Sequence, residues 1–456
     1  MSRISEIAPQ QADLFGHPRG LTFLFTAEVL ERFSYYSMLT LLVLYMVRYL
    51  FEPTQVESVL GYAAVKEALE FFFGPLSTQT LASHIYGFFT GLLFLTTLIG
   101  GLFADRVLGQ RATVVVGVVM MSIGQFMLVF DSLFFLGLLT LILGTGAFKP
   151  NILTQVGALY APGDTRRDRA FLILLVVDNI GAFLGTLVSG TLAVLGWHYG
   201  FAAAGVGMLI AFVVYLTALP TLPIDELHKA KAAREKKNSL GTNARRAILA
   251  LIILFVAVTL FWAIYEQQGN TLVLSSTDLT DRTINLSDIP VMLFPAWYGL
   301  MSLVLLLLVI RFWAWQGKHS SEPSSITKMA IGCFCLALSF LVPAVVAWQA
   351  GDGETSWFWL IPVFVLVALG EFYVWPTGLS LVSQVAPGRV VSVMMGLWLA
   401  TRFTGSVMAG WLGGFWGNMD HANFFFLMAA VATVAGVVVA LLIRPLKSIF
   451  ESRAVG

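Results

Sequence analysis

Apolar residues run along this chain in blocks of about twenty, separated by short polar gaps. Twelve blocks can be read, at roughly 21–50, 80–104, 111–130, 133–160, 170–195, 200–222, 246–272, 289–316, 327–349, 356–384, 391–415 and 423–443. An α-helix rises about 1.5 Å per residue, so about 20 apolar residues cross a hydrocarbon layer of about 30 Å. The pattern predicts twelve membrane-crossing helices in an all-α polytopic membrane protein. One gap differs from the rest. Residues 223–245 are polar and rich in lysine, and they divide the blocks six and six. The expected organisation is a terminal segment 1–20, a six-helix bundle 21–222, a solvated linker 223–245, a second bundle 246–443 and a tail 444–456. A shorter stretch at 56–73, VESVLGYAAVKEALEFFF, reads as an amphipathic helix lying outside the first two spans as an interface cover.

Composition agrees with the pattern. The 456 residues are 58% hydrophobic and 12% charged, with a mean hydropathy of +0.83, whereas a soluble domain carries about 25% charged residues. A net charge of +1 without a basic domain points away from nucleic acid. The two cysteines, Cys333 and Cys335, stand two apart in one helix and point different ways, so neither a disulfide nor a metal site is expected, and no cofactor motif occurs. The first twenty residues are polar and lack an apolar leader core, so no cleaved signal is expected. Alternate loops collect bases (Arg106 and Arg111; Arg166, Arg167 and Arg169; Lys229 to Arg246; Lys318, Lys328 and Arg389) and acids (Glu52 to Glu70; Asp278, Asp281 and Asp288; Asp352, Glu354 and Asp420). The positive-inside rule then puts both termini in the cytoplasm, in a plasma membrane or bacterial inner membrane.

Charges inside the spans are few and patterned. The first span of each half carries acids, Glu28 and Glu31 in one and Glu266 in the other. Each fourth span places one charge beside a proline, Lys149 with Pro150 and Glu371 with Pro376. Each fifth span carries one charge, Asp178 and Arg402, while the third and sixth spans have none in their interiors. Intramembrane charges usually face a bundle interior or an aqueous cavity, so this arrangement describes a central cavity between two halves, the plan of a transporter. Within span 1, Glu28, Glu31, Arg32 and Tyr35 follow i, i+3, i+4, i+7 and share one face, with Tyr36 four beyond Arg32. Arg32 can keep one carboxylate ionised while the other titrates; the alternative is an ion cluster that locks the helix to a neighbour.

Several motifs resemble the proton-dependent oligopeptide transporter family of the major facilitator superfamily. EVLERFSYY, from Glu28 to Tyr36, resembles ExxERFxYY. GTGAFKPNILTQVGALY, from Gly144 to Tyr160, is similar to the second signature. FWAIYEQ at Phe261–Gln267 resembles FWxxYEQ, GEFYVWPTGLSLV resembles GELxxSPxGL, and APGRVVSVMMGLW with Gly405 and Gly410 resembles the eleventh-span pattern. GGLFADRVLGQR resembles the superfamily loop between spans 2 and 3, through Asp105 and Arg106. The resemblance implies the major facilitator fold, here without the extra helix pair of many bacterial relatives, and a monomer. It departs at Ser37, Leu39, Phe94, Leu175, Asp178, Tyr298–Gly299, Trp375 and Arg402, positions that bear on substrate range.

A short peptide is a zwitterion. Arg32 and Lys149 can take its carboxylate and Glu371 its ammonium, with Tyr36, Trp262, Trp398 and Trp375 as amphipathic walls. The resemblance implies the same roles for Arg32, Lys149, Asn179, Trp262, Glu371 and Trp398. Five acids in the spans stand against three bases, an excess of two carboxylates. A carboxyl group desolvated without a partner takes up a proton more readily, which offers a proton carrier at Glu28 or Glu31, with Glu266 next. At about 2.3 kcal/mol per charge per 100 mV, one proton supports roughly fifty-fold accumulation. Lys149 and Glu371 can pair when the inner side is shut and part when substrate competes. For Arg402 a separate substrate contact is favoured, with a cross-half pair to Asp178 as the alternative. His84, near the outer end of span 2, reads as an interfacial polar residue or a protonatable gate. The expected function is a proton-coupled symporter of di- and tripeptides in a lipid bilayer, with a carrier of another small anionic or amphoteric solute as the alternative. An enzyme lacks its nucleophile–base set or paired histidines here, and a channel would need a continuous polar pore.

Overall fold

The computed structural model describes residues 12–14, 16–160, 164, 166–222, 242–281, 283–284, 287–288, 293–319, 323–351, 353, 355–385 and 391–445. Its long helices are α1 (Arg19–Tyr45), α3 (Thr78–Phe103), α4 (Gln110–Met127), α5 (Phe134–Ala158), α6 (Arg166–Ala193) and α7 (Trp197–Ala218), then α8 (Thr242–Tyr265), α10 (Phe294–Lys318), α11 (Ser325–Ala350), α12 (Leu360–Val385), α13 (Val391–Gly413) and α14 (His421–Leu441). Two short ones intervene, α2 (Tyr62–Phe73) and α9 (Thr271–Asp278). The twelve long helices coincide with the twelve apolar blocks to within a few residues. Eleven helical segments among the described residues are long and apolar enough to cross a membrane, and α13, with Arg402 near its middle, has 23 residues. The chain is an integral membrane protein. Among the described residues, strands are limited to pairs of two or three residues: β1 (Ala12–Leu14) with β2 (His17–Pro18), β3 (Thr280–Asp281) with β6 (Thr355–Ser356), and β4 (Thr283–Ile284) with β5 (Ser287–Asp288).

Local chemistry sets the helix ends. Ser77, Ser324 and Asp420 each accept a hydrogen bond from the backbone N–H three residues on, starting α3, α11 and α14. Gly109, at a φ of +81°, turns the chain sharply from the π-helical turn Ala104–Leu108 into α4. Asp105 lies in that turn with its side chain outside the described residues; Arg106 is exposed. Arg111 donates to the carbonyl of Leu222 and ties the start of α4 to the end of α7. The linker 223–241, with Lys229 to Lys237, lies outside the described residues, as do the side chains of Arg167, Arg169 and Asp288 and all of Asp352, Glu354 and Arg389.

The helices pack as two sets. In the first, α1 lies against α6 and α7, and α5 against α3 and α4; in the second, α11 lies against α12 and α14, and α8 against α13 and α14. Two seams join the sets, α3 with α13 and α6 with α10. With an even number of crossings, α1 and α8 start on one face of the layer, termed here the terminal face, and α3 and α10 start on the distal face. The amphipathic stretch forms α2 on the distal face, where Phe71 and Phe72 are 82% and 77% exposed.

Candidate functional site

Between the two sets lies a cavity of about 360 Å³, within the range of small-molecule sites. From the first set it is lined by Arg32, Tyr36, Phe94, Lys149, Asp178 and Asn179. The second set adds Tyr298, Glu371, Trp375 and Arg402. It extends down α10 toward the terminal face past Leu306, Val309, Ile310 and Trp313. The distal end above it is closed by contacts across the sets. Arg48 pairs with Asp278 at 2.7 Å, whose other oxygen is held within its own set by Trp416, donating at 3.2 Å. Gln79 donates to the carbonyl of Gly413 at 2.9 Å, Ser83 to Asn270 at 2.9 Å, and Tyr86 to Glu266 at 3.2 Å. A smaller space of about 60 Å³ under this plug is lined by Tyr35, Tyr36, Tyr86, Tyr265, Glu266 and Arg402.

Span 1 delivers its charges to the cavity because α6 comes unusually close. A Cβ on Gly181 would fall 2.6 Å from the Cβ of Arg32, so only glycine permits that approach. Glu28 and Glu31 are fully buried. Arg32 grips Glu31 through both oxygens, Nε to Oε2 and Nη2 to Oε1, each at 2.6 Å; such bidentate pairs are the stronger kind. Glu28 pairs instead with Lys149 of α5, whose Nζ also lies 3.6 Å from Glu31 and 3.9 Å from Asp178. The helical spacing offers Glu28 to Arg32 at i, i+4, but Lys149 takes it, and the long Arg32 side chain bends back to its immediate neighbour. Arg32 lies over the Tyr35 ring at 4.8 Å and near that of Tyr36 at 6.0 Å.

In the second set, Arg402 pairs with Glu266 at 3.1 Å. Its guanidinium sits over the rings of Trp262, Phe94 and Tyr265 at 3.8, 4.7 and 5.0 Å, a desolvated cation–π nest. The alternative pairing of Asp178 with Arg402 does not occur, because Arg402 lies on the distal side of the cavity with Glu266 while Asp178 faces Lys149. Lys149 and Glu371 are apart in this conformation, which is shut at the distal end and not at the inner side: Glu371 accepts from the Tyr298 hydroxyl at 3.1 Å, and that hydroxyl also contacts Tyr265 at 3.1 Å. Trp262 and Trp398 are fully buried and do not line the cavity. They stand behind Trp375, at ring distances of 5.7 and 6.2 Å, and of these three indoles only that of Trp375 meets the cavity. Asn179 lines the wall while donating to the carbonyl of Leu175 at 2.8 Å. His84 is buried near the distal end, its Nδ1 2.8 Å from the carbonyl of Thr80 and its ring 4.4 Å from Phe73. It is neither at an exposed interface nor in the cavity.

Sequence reasoning missed Tyr86 and, though it singled out Tyr298 as a departure, missed the partner of Tyr298. Tyr86 bridges the sets through Glu266, and Tyr298 holds Glu371; neither stands at a spacing that ties it to its partner. The only available signal was that Tyr298–Gly299 departs from an expected Asn-Pro pair. Gly299 has its own reason, since a Cβ there would come 2.9 Å from the Cα of Phe183 across the α6–α10 seam.

Comparison with known proteins gives consistent matches. Residues 24–409 match the family model described as the Major Facilitator Superfamily. The peptide transporter YePEPT of Yersinia enterocolitica is 30% identical over 521 aligned residues, covering 97% of each chain. That alignment is longer than the 456 residues here, so the relative has segments this chain lacks. A di-/tripeptide transporter of Lactococcus lactis subsp. cremoris is 27% identical over 95% of this chain and 96% of its own. Among solved structures, a mutant of peptide transporter POT in complex with sulfate superposes with a TM-score of 0.84 at 26% identity, covering 97% of both chains.

Proposed function

Because this chain belongs to the proton-dependent oligopeptide transporter family of the major facilitator superfamily, we propose that it is a proton-coupled symporter that imports di- and tripeptides by alternating access. One observation carries the reading: two cations of one helix set, Arg32 and Lys149, share the cavity with a carboxylate of the other, Glu371, while Asp178 and Arg402 add one further charge to each side. A zwitterionic peptide bridging them draws the sets together, and charge-assisted contacts of this kind are strong only when both ends are occupied. Trp375 and Tyr36 supply wide, partly polar walls for variable side chains.

In this reading residues 21–222 and 246–443 are the two bundles that rock against each other, and 223–245 links them in the cytoplasm. The terminal face is cytoplasmic, and the conformation described is closed toward the outside. The protein works as a monomer in a plasma membrane, the inner membrane in a bacterium. Glu28, Glu31 and Glu266 are the proton-carrying candidates. Glu266 has a position suited to coupling, since one oxygen faces Arg402 and the other accepts from Tyr86 of the opposite set. Protonation turns that acceptor into a donor and weakens its grip on Arg402, so proton loading and distal opening act on the same contacts.

The test is uptake of labelled dialanine into liposomes containing purified protein, with and without an inward proton gradient. Gradient-dependent accumulation, competed by other dipeptides and not by free alanine, is expected. Folded protein that takes up no dialanine would overturn the peptide reading in favour of another anionic or amphoteric solute. Undiminished accumulation in a Glu28→Gln, Glu31→Gln double variant would remove those two residues as proton carriers.

A further inference from the structure

Every full charge at the cavity belongs to one of two walls. On the first, the carboxylates Glu28, Glu31 and Asp178 face the cations Arg32 and Lys149. On the second, Glu266 and Glu371 face Arg402 alone. The excess of two carboxylates counted in the sequence is therefore split, one to each wall. The close contacts show where each excess falls. Arg32 is engaged by Glu31, Lys149 most closely by Glu28, and Arg402 by Glu266. Asp178 is left with Lys149 at 3.9 Å as its nearest cation and a buried Oδ1 that has no hydrogen-bond partner. Its side chain is 28% exposed and lines the cavity. Glu371, on the opposite wall, accepts from the Tyr298 hydroxyl. Lys328 stacks on Trp313 at 4.1 Å and does not itself line the cavity.

We propose that Asp178 is a subsite for a cationic side chain, so that short peptides carrying a lysine- or arginine-type residue are the preferred substrates. This rests on the peptide reading and narrows it. A carboxylate held at low dielectric without its own cation is costly, and a ligand that supplies the cation relieves that cost. A neutral dipeptide brings one ammonium, which Glu371 takes. A basic dipeptide brings a second cation, which at Asp178 offsets the negative charge that the peptide's own carboxylate adds to the first wall. The apolar wall of Leu306, Val309, Ile310 and Trp313 gives the methylene stem of such a side chain a surface to lie on. An acidic side chain would add a negative charge to a cavity that already has two in excess.

Competition against labelled dialanine in proton-driven liposomes tests the subsite, with unlabelled dialanine, lysyl-alanine, alanyl-lysine and alanyl-glutamate as competitors. The better of the two lysine peptides is expected to half-inhibit at a concentration about tenfold below that of dialanine, and alanyl-glutamate at a higher one. In Asp178→Asn that ratio should fall to about one, and in Asp178→Glu it should stay above one. Lysine peptides that compete no better than dialanine in the parent would overturn the proposal while leaving peptide transport intact. So would a ratio that survives in Asp178→Asn. If Asp178→Asn does not transport, thermal stabilisation of the purified parent decides, and equal shifts with lysyl-alanine and dialanine would overturn the subsite. Absence of any dialanine uptake by the parent would overturn both readings together.

Discussion

Closure of the distal face depends on how near α3 comes to α13, and one methyl group tests it. A Cβ on Gly87 would lie 2.8 Å from both the Cα and the N of Gly410, and 2.5 Å from the carbonyl oxygen of Ser406. Carbon atoms in contact normally sit about 3.5–4.0 Å apart. Since the obstructing atoms are backbone, none can rotate aside, and Gly87→Ala must push the helices apart by roughly 1 Å at this point. Overpacking of this size costs about 1–3 kcal/mol. The cost falls only on the conformation in which the seam is shut, so it acts as a population shift of roughly 5–150-fold toward the distal-open form. Nitroxide labels at the exposed residues Glu57 and Asn418, one from each set, should show a longer-distance component in Gly87→Ala that is larger still in Gly87→Val. Dialanine uptake should fall in the same order. Distance distributions and uptake identical to the parent in both variants would refute the argument that this seam closes the distal face.

The buried Arg402–Glu266 pair predicts a non-additive result. Glu266→Gln strands Arg402 without its carboxylate and should cost about 3–5 kcal/mol, while the double variant Glu266→Gln, Arg402→Gln should recover part of the loss in a thermal melt of the purified protein. The three indoles separate by layer: Trp262→Ala should lower stability by about 3–5 kcal/mol, whereas Trp375→Ala should change peptide affinity with a smaller effect on the melt. Tyr298→Phe removes the hydroxyl at Glu371, and half-saturation for dialanine should shift while the melting temperature stays near that of the parent.

Much of the fold was legible before any coordinates. Helix boundaries followed from apolar block length, because a helix must satisfy its own backbone within the bilayer and few other shapes can. The six-and-six division followed from one polar linker, and the cavity from the positions of lone charges such as Lys149, Asp178, Glu371 and Arg402, which lipid does not tolerate. The motif from Glu28 to Tyr36 placed the charged face of span 1 correctly, because residues three and four apart on a helix are neighbours whatever surrounds them.

Partner choice was not legible, and the reason is physical. Glu28 and Lys149 are 121 residues apart and Tyr86 and Glu266 are 180 apart, so their meeting depends on how separate helices cross. Periodicity describes one helix at a time and is silent on crossings. That is why Arg402 went to Glu266 rather than Asp178, why Trp262 and Trp398 stand behind Trp375 rather than on the wall, and why Asp178 has Lys149 only at 3.9 Å. The sequence by itself determined how many charges the membrane must hide; the tertiary structure alone decided which of them neutralise one another and which are left facing the cavity.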